Sequence, residues 1–277
     1  MPTSAQPAGA RTRKLVRDAG RAAGGALIFS IPMLMTMEMW WLGFYMDRLR
    51  LALLVALVIP LLVGLSHQVG FEHTRGWAED FRDALYALAI GTAVAVLILT
   101  VFRQVTPDMS VHEIVGKVAI QAVPAAIGAL LALSQFGGES ERMDDKQETY
   151  WGELFLMAVG ALFLGFNIAP TEEAVLISYT MSPWNGLALV LLSLALMHGF
   201  VFAVGFKGGS ELSPDTPWWS AFIRFTLPGY ALAAIISLCL LWMFGRLDGN
   251  SASQVVMAMV VLTFPCSIGA AAARLIL

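Results

Sequence analysis

The chain has 277 residues, of which 58% are hydrophobic and only 13% are charged, and its mean hydropathy is +0.72. Soluble domains carry about 25% charged residues, so this composition excludes an ordinary soluble domain and predicts a polytopic protein in the lipid bilayer. A formal net charge of −3 and the lack of a basic cluster beyond the N-terminal tail do not indicate a nucleic-acid partner.

Eight apolar stretches of roughly 20 residues or more are predicted to cross the membrane as helices, so the expected fold class is all-α. A basic tail, residues 1–23, precedes the first stretch, and we expect it to be retained because no small-residue cleavage site follows. The predicted spans are residues 24–45, 50–71, 81–102, 114–136, 151–181, 184–206, 219–245 and 254–276.

The most polar connection, residues 137–150, lies near the middle of the chain. Lys and Arg are enriched on the cytoplasmic side of membrane proteins. With the N-terminus inside, twelve of the 17 Lys and Arg residues lie on that side, which predicts that both termini are cytoplasmic. The five on the outer side are Arg48, Arg50, Arg103, Lys117 and Arg246.

Three groups of residues recur in the same order in the two halves, which predicts an internal duplication with repeats at 24–136 and 151–277. Four spans in each repeat would make the repeats parallel, related by an axis along the membrane normal. The groups are Thr36-Met37-Glu38 with Thr171-Glu172-Glu173 and Val69-Gly70-Phe71 with Val204-Gly205-Phe206, both offset by 135, and Pro124–Ala129 with Pro265–Ala270, offset by 141.

Carboxylates within these predicted spans are the main functional candidates, because each costs about 2.5–3.5 kcal/mol at the bilayer centre on insertion scales. Glu38 and Glu173 would face each other across the repeat axis, about 10–12 Å below the outer surface if their helices are straight. Threonine hydroxyls and carbonyls freed near Pro170 would add oxygen ligands. The candidate ion or proton site is Thr36, Glu38, Asn167, Thr171, Glu172 and Glu173.

Other polar residues in the spans have structural as well as functional interpretations. His67 and His198 are candidates for a proton relay, or for structural histidines bonded to a carbonyl. Gln121 is expected to hydrogen-bond between helices, and Lys117 to extend toward the interface from a span end. The two cysteines lie in apolar runs without metal-site spacing, and no cofactor is expected.

Ala169-Pro170-Thr171-Glu172-Glu173, followed by Leu194-x-x-x-His198, resembles two motifs of the CAAX-processing and bacteriocin-immunity intramembrane proteases. That resemblance implies water activation by the glutamate pair with His198. Ile177 stands where that family has arginine, and its third motif is missing. The stretch Gly25–Gly43, with the later APTEE, resembles an uncharacterised family of bacterial integral-membrane proteins with no assigned activity. That resemblance implies a location in a bacterial inner membrane.

The leading hypothesis is a transporter or channel for a small cation or proton. The alternatives are a membrane-embedded hydrolase that uses Glu172, Glu173 and His198, and a non-catalytic accessory subunit whose carboxylates fix helix packing. Whether the chain is an enzyme stays open, although the transport hypothesis favours a non-enzyme. The sequence also leaves a homo-oligomer open.

Overall fold

The structure, a computed structural model, describes residues 8–69, 76–136, 149–203 and 218–276. Within these ranges the chain forms helices and no strand, which confirms the all-α prediction. The chain divides into two compact units, residues 1–141 and 142–277. Gly70-Phe71 and Val204-Gly205-Phe206, from one of the recurring groups, lie outside the described residues.

Unit 1 is built around its last helix, α5, which packs against all the other helices of the unit and most extensively against α1 and α4. This arrangement follows from composition, since α5 is rich in alanine and glycine and lets its neighbours approach closely. The helices are α1 (Ala8–Leu34), α2 (Met37–Tyr45), α3 (Arg48–Val69), α4 (Trp77–Val101) and α5 (Val111–Phe136).

Unit 2 is likewise built around its last helix, α11, which packs against α6, α7, α8 and α10. A π-helical turn, Phe222–Thr226, joins α9 to α10. The order of a long helix, a short helix, two further spans and a central helix is therefore the same in both units. The helices are α6 (Tyr150–Ile168), α7 (Glu173–Thr180), α8 (Pro183–Ala203), α9 (Trp218–Ala221), α10 (Leu227–Met243) and α11 (Ala252–Ile276).

Seven helices in the described part of the chain are long and apolar enough to cross a membrane, and α1 with α2 makes an eighth if the bent pair is one span. Two predicted spans are wrong as continuous helices. The stretch 24–45 breaks after Leu34, where α2 turns 85° from α1. The stretch 151–181 breaks between Ile168 and Glu173, because Pro170 has no N–H with which to continue the helix.

The first helix of each unit crosses the central helix at a pair of glycines. A Cβ atom placed on Gly25 would overlap the carbonyl oxygen of Gly128, and one on Gly128 would overlap that of Gly25. Gly160 and Gly269 make the same reciprocal contact in unit 2. Helices in membranes associate through such close packing of small residues rather than by a hydrophobic driving force.

α4 and α10 end with the same cap. The backbone N–H groups of Gln104 and Arg246 each donate to the carbonyl five residues earlier, at 2.8 Å in both cases. The residue before each donor has a positive φ, 56° at Arg103 and 73° at Gly245, as a left-handed cap requires. The cap fixes the point at which the following loop leaves each of these two helices.

α5 and α11 begin with a serine cap. The hydroxyl of Ser110 accepts a hydrogen bond from the backbone N–H of Glu113 at 3.2 Å, and that of Ser251 accepts from Gln254 at 3.4 Å. In α11 the Gln254 side chain also accepts from the backbone N–H of Ser251 at 2.9 Å, which completes a capping box.

We expect Ser110→Ala and Ser251→Ala each to lower the free energy of unfolding by about 1 kcal/mol, because each leaves an N–H group at a helix start without its acceptor. Thermal unfolding in detergent micelles measures the effect. Ser220→Ala, inside α9, is the control and should change it by less than about 0.5 kcal/mol. Equal results for all three variants would contradict a role for the caps.

Candidate functional site

The break between α1 and α2 is held by side chains. The Thr36 hydroxyl, the Trp40 indole and the Gln121 amide each donate to one of the carbonyls of residues 32–34, at 2.5, 2.8 and 3.0 Å. Carbonyls at a helix end have no partner within the helix and are costly to leave unpaired in lipid. We call Thr36, Glu38 and Gln121 the unit 1 junction.

The break between α6 and α7 is held by a threonine and an arginine. The Thr171 hydroxyl donates to the Ile168 carbonyl at 2.7 Å, and the Arg246 guanidinium donates to the Pro170 carbonyl. Arg246 Nη1 also lies 3.3 Å from Oε1 of Glu172, forming an ion pair. We call the corresponding set of residues the unit 2 junction: Asn167, Pro170, Thr171, Glu172, Glu173 and Arg246.

The candidate carboxylates stand at the starts of the short helices. Glu38 is the second residue of α2 and is half-buried, whereas Glu172 and Glu173 are exposed at the start of α7. The partial positive charge of a helix N-terminus favours a carboxylate there. Because α2 turns 85° from α1, a depth counted along one straight helix does not apply to Glu38. The carboxylates therefore lie at helix breaks, not within uninterrupted spans.

Each junction also contains a buried amide oxygen. Among the described residues, Oε1 of Gln121 and Oδ1 of Asn167 are buried without a hydrogen-bond partner. The amide nitrogens donate to the carbonyls of Met33 and Phe163, at 3.0 and 2.6 Å. Gln121 thus makes the predicted interhelical bond. Amide, hydroxyl and carboxylate oxygens are the ligands that hard cations prefer.

The described residues contain no group of three or more His, Cys, Asp or Glu side chains that could hold a metal ion. Glu172, Glu173 and His198 accordingly do not form one cluster. His198 lies about 22 Å of helical rise from Pro183 at the start of α8, while Glu172 is paired with Arg246. The arrangement implied by the protease resemblance is not assembled within unit 2.

The two histidines bind side chains within their own units. His67 Nδ1 lies 3.1 Å from Oδ2 of Asp80, and its ring stacks on Trp77 with centroids 5.0 Å apart. His198 Nδ1 lies 3.0 Å from Oγ1 of Thr226, in the π-helical turn. Each histidine therefore joins two neighbouring helices, through a side chain rather than the expected carbonyl. Their role as a relay stays a prediction.

Lys117 reaches toward the start of α5, where it is paired within the protein. Its side chain is 8% exposed, and Nζ lies 2.9 Å from Oε1 of Glu113 and donates to the Gln104 carbonyl at 3.1 Å. Gly43 of α2 packs directly against the Lys117 backbone and side-chain stem. The spacing of four residues between Glu113 and Lys117 is typical of a helical ion pair and could have predicted this contact.

Asp18 and Glu153 are buried carboxylates outside the predicted site, 8% and 3% exposed. Asp18 Oδ1 lies 3.7 Å from both Arg17 Nε and Arg21 Nη1. Asp18 belongs to the predicted basic tail, but α1 already begins at Ala8. The offset of 135 that aligns Thr36 with Thr171 also aligns Asp18 with Glu153, and this was the feature that could have identified them.

Comparison with known proteins identifies the family. A family model described as "Putative integral membrane protein (DUF2391)" matches residues 18–277, which include both junctions and both glycine crossings. No curated protein and no solved structure matches the chain. The predicted resemblance to an uncharacterised family of integral-membrane proteins is confirmed, and together with the apolar helices it shows that this multi-pass chain belongs to the DUF2391 family of integral membrane proteins.

Proposed function

We propose that the protein moves a small cation or a proton across a bacterial inner membrane, with both termini in the cytoplasm. The observation that supports this proposal is the recurrence of one arrangement: in each unit the first helix breaks near a threonine, and a carboxylate lies in the first turn of the next short helix. Broken helices that present oxygen atoms and helix ends are a common way to build ion sites in transporters.

We further propose that the two units are tandem copies of one ancestral unit. The offset of 135 relates the helix breaks, Gly25 to Gly160, and Asp18 to Glu153. Offsets of 141 and 142 relate Gly128 to Gly269 and the left-handed caps of α4 and α10. The matching caps of α4 and α10 lie outside the recurring sequence groups and add support for duplication from backbone geometry.

In this proposal Glu38 and Glu173 carry the charge that binds the cation or proton. Thr36 and Thr171 each donate their hydroxyl hydrogen to a helix carbonyl, so the oxygen lone pairs remain available as neutral ligands. The unit 1 residue aligned with Glu172 is Met37, so Glu172 contributes in unit 2 only. A carboxylate that takes up a proton loses the charge that binds a cation, so flux should depend on pH.

We expect Glu38→Gln and Glu173→Gln each to reduce flux at least about tenfold, since a 1.4 kcal/mol loss of site affinity already gives that factor. Purified protein in liposomes, under an imposed gradient and with pH- and cation-sensitive dyes, provides the measurement. Asp108→Asn, in the loop before α5, removes a fully exposed carboxylate and is the control.

Three other outcomes would be informative. No flux of protons or common cations with well-folded wild type would overturn the proposal. Full flux in both glutamine variants would remove the carboxylates from the pathway. Loss of thermal stability in these variants, without any wild-type flux, would support the accessory-subunit alternative instead.

A further inference from the structure

In unit 2 a cation of the chain itself already uses oxygen atoms of the junction. The guanidinium of Arg246 donates to the Pro170 carbonyl through Nη2 and pairs with Glu172 Oε1 through Nη1, 3.3 Å away. The Arg246 side chain is only 12% exposed, and its Nε is buried without a hydrogen-bond partner. Arginine keeps its proton at any accessible pH, so this positive charge is permanent.

Hydrogen bonds hold the backbone of Arg246 in place at the end of α10. Its N–H forms the left-handed cap of α10, and its carbonyl accepts a hydrogen bond from the Asn250 amide at 3.0 Å. Asn250 in turn accepts a hydrogen bond from the hydroxyl of Tyr179, in α7. The loop after α10 is thereby bonded both to the α6–α7 break and to α7. Unit 1 has the neutral Gln104 at the equivalent cap position.

We propose that Arg246 is a tethered competitor of the cation that binds at the unit 2 junction, an inference that rests on the proposed function. A mobile cation that coordinates the Pro170 carbonyl and Glu172 needs the two oxygens that Arg246 now holds. A cation bound to these oxygens would also be repelled by the positively charged guanidinium beside it. Binding therefore requires the guanidinium to leave, whereas unit 1 has no arginine to displace at that position.

The competition also specifies the charge of the ligand. Exchange of one guanidinium for one monovalent cation or hydronium leaves the charge near Glu172 unchanged, whereas a divalent ion adds a positive charge at a partly buried site. Oδ1 of Asn167, which has no hydrogen-bond partner, offers the incoming ion an oxygen ligand that Arg246 does not use. Glu172 is 70% exposed, so the released guanidinium has a short path to water.

The test is the cation concentration that gives half-maximal thermal stabilisation of the purified protein, titrated with NaCl or KCl against N-methylglucamine chloride at constant ionic strength. A Glu38→Gln background makes unit 2 the site that is measured. We expect Arg246→Gln to lower this concentration at least about tenfold, and Arg246→Lys to lower it less, because lysine keeps the charge but loses the two-pronged contact. Arg48→Gln removes an exposed charge at the start of α3 and should leave the half-maximal concentration unchanged.

The concentration dependence, rather than the melting temperature itself, is the measurement, because Arg246→Gln also removes a donor to the Pro170 carbonyl. An unchanged or higher half-maximal concentration in Arg246→Gln would overturn the competition, even where wild-type flux and its loss in Glu173→Gln uphold the proposed function. Wild-type protein that shows neither flux nor stabilisation by any cation would instead overturn the proposed function.

Discussion

Gly25→Ala should destabilise the protein by about 1–3 kcal/mol or more, whereas Gly24→Ala, one residue earlier in the same helix, should not destabilise it. A methyl group on Gly25 would overlap the backbone of Gly128 and the side chain of Ala132, so α1 and α5 would have to move apart. Gly24 has no atom within 4 Å of the same position. Alanine there should instead stabilise the helix by about 0.5–1 kcal/mol.

Because Gly25→Ala and Gly24→Ala should change stability in opposite directions, the pair is a stringent test of the crossing of α1 and α5. Thermal unfolding in detergent, with size-exclusion chromatography to assess the folded fraction, measures both. In unit 2, Gly160→Ala should behave like Gly25→Ala, and Gly199→Ala, which also has open space around it, like Gly24→Ala. If Gly25→Ala and Gly24→Ala unfold at the same temperature, α1 and α5 do not cross at these glycines.

Glu113→Gln should cost about 3–5 kcal/mol of stability, because it leaves the ammonium of Lys117 in a buried position without its carboxylate. The variant keeps the backbone N–H that donates to the Ser110 hydroxyl, so the serine cap of α5 is preserved. The Lys117 side chain is 8% exposed and covered by α2, so water cannot readily replace the lost partner. Unfolding in detergent at neutral pH measures the difference.

The double variant Glu113→Gln with Lys117→Met provides the control for that loss. Methionine replaces the apolar stem of lysine without its charge, so the double variant should recover most of the stability. Unit 2 supports this expectation, since the aligned residues are Gln254 and Ala258, which form no ion pair. A double variant as unstable as Glu113→Gln alone would show that the ion pair is not the source of the loss.

Composition and the recurring groups predict much of the fold, because they report local properties of the chain. Apolar stretches locate the spans, and the recurring group that contains Gly128 and Gly269 supplies small residues where helices cross. A glycine or alanine in an apolar run indicates close packing whatever its partner is. The family comparison and the helices agree with these predictions.

The break near Pro170 is expected from the sequence, whereas the break after Leu34 is not, because proline alone does not determine where a helix breaks. α1 continues past Pro32 to Leu34, and Pro60, Pro124 and Pro265 all lie inside helices. The first break is stabilised by Gln121, which is 88 residues from its acceptor Met33. Contacts at such separations depend on how the helices pack, which no local pattern encodes.

The contacts of Arg246 escaped prediction for the same reason. Positive charges near span ends serve to predict topology, and Arg246 counts there only as one of the five on the predicted outer side. Its bond to Pro170 joins residues 76 positions apart. Only the tertiary arrangement of α6, α7 and the loop after α10 shows that this arginine closes a helix break and does not simply face water.

The reciprocal glycine contacts restrict how each unit can change shape. At Gly25 and Gly128 the two backbones touch, and the Cβ atoms of Phe29 and Ala132 stand on either side of the contact. Sliding α1 along α5 would drive these Cβ atoms into the opposing backbone, whereas tilting leaves the contact intact. Motion within unit 1 should therefore be rotation about this fixed point, with small displacements near the crossing and the largest at the helix ends, where the unit 1 junction lies.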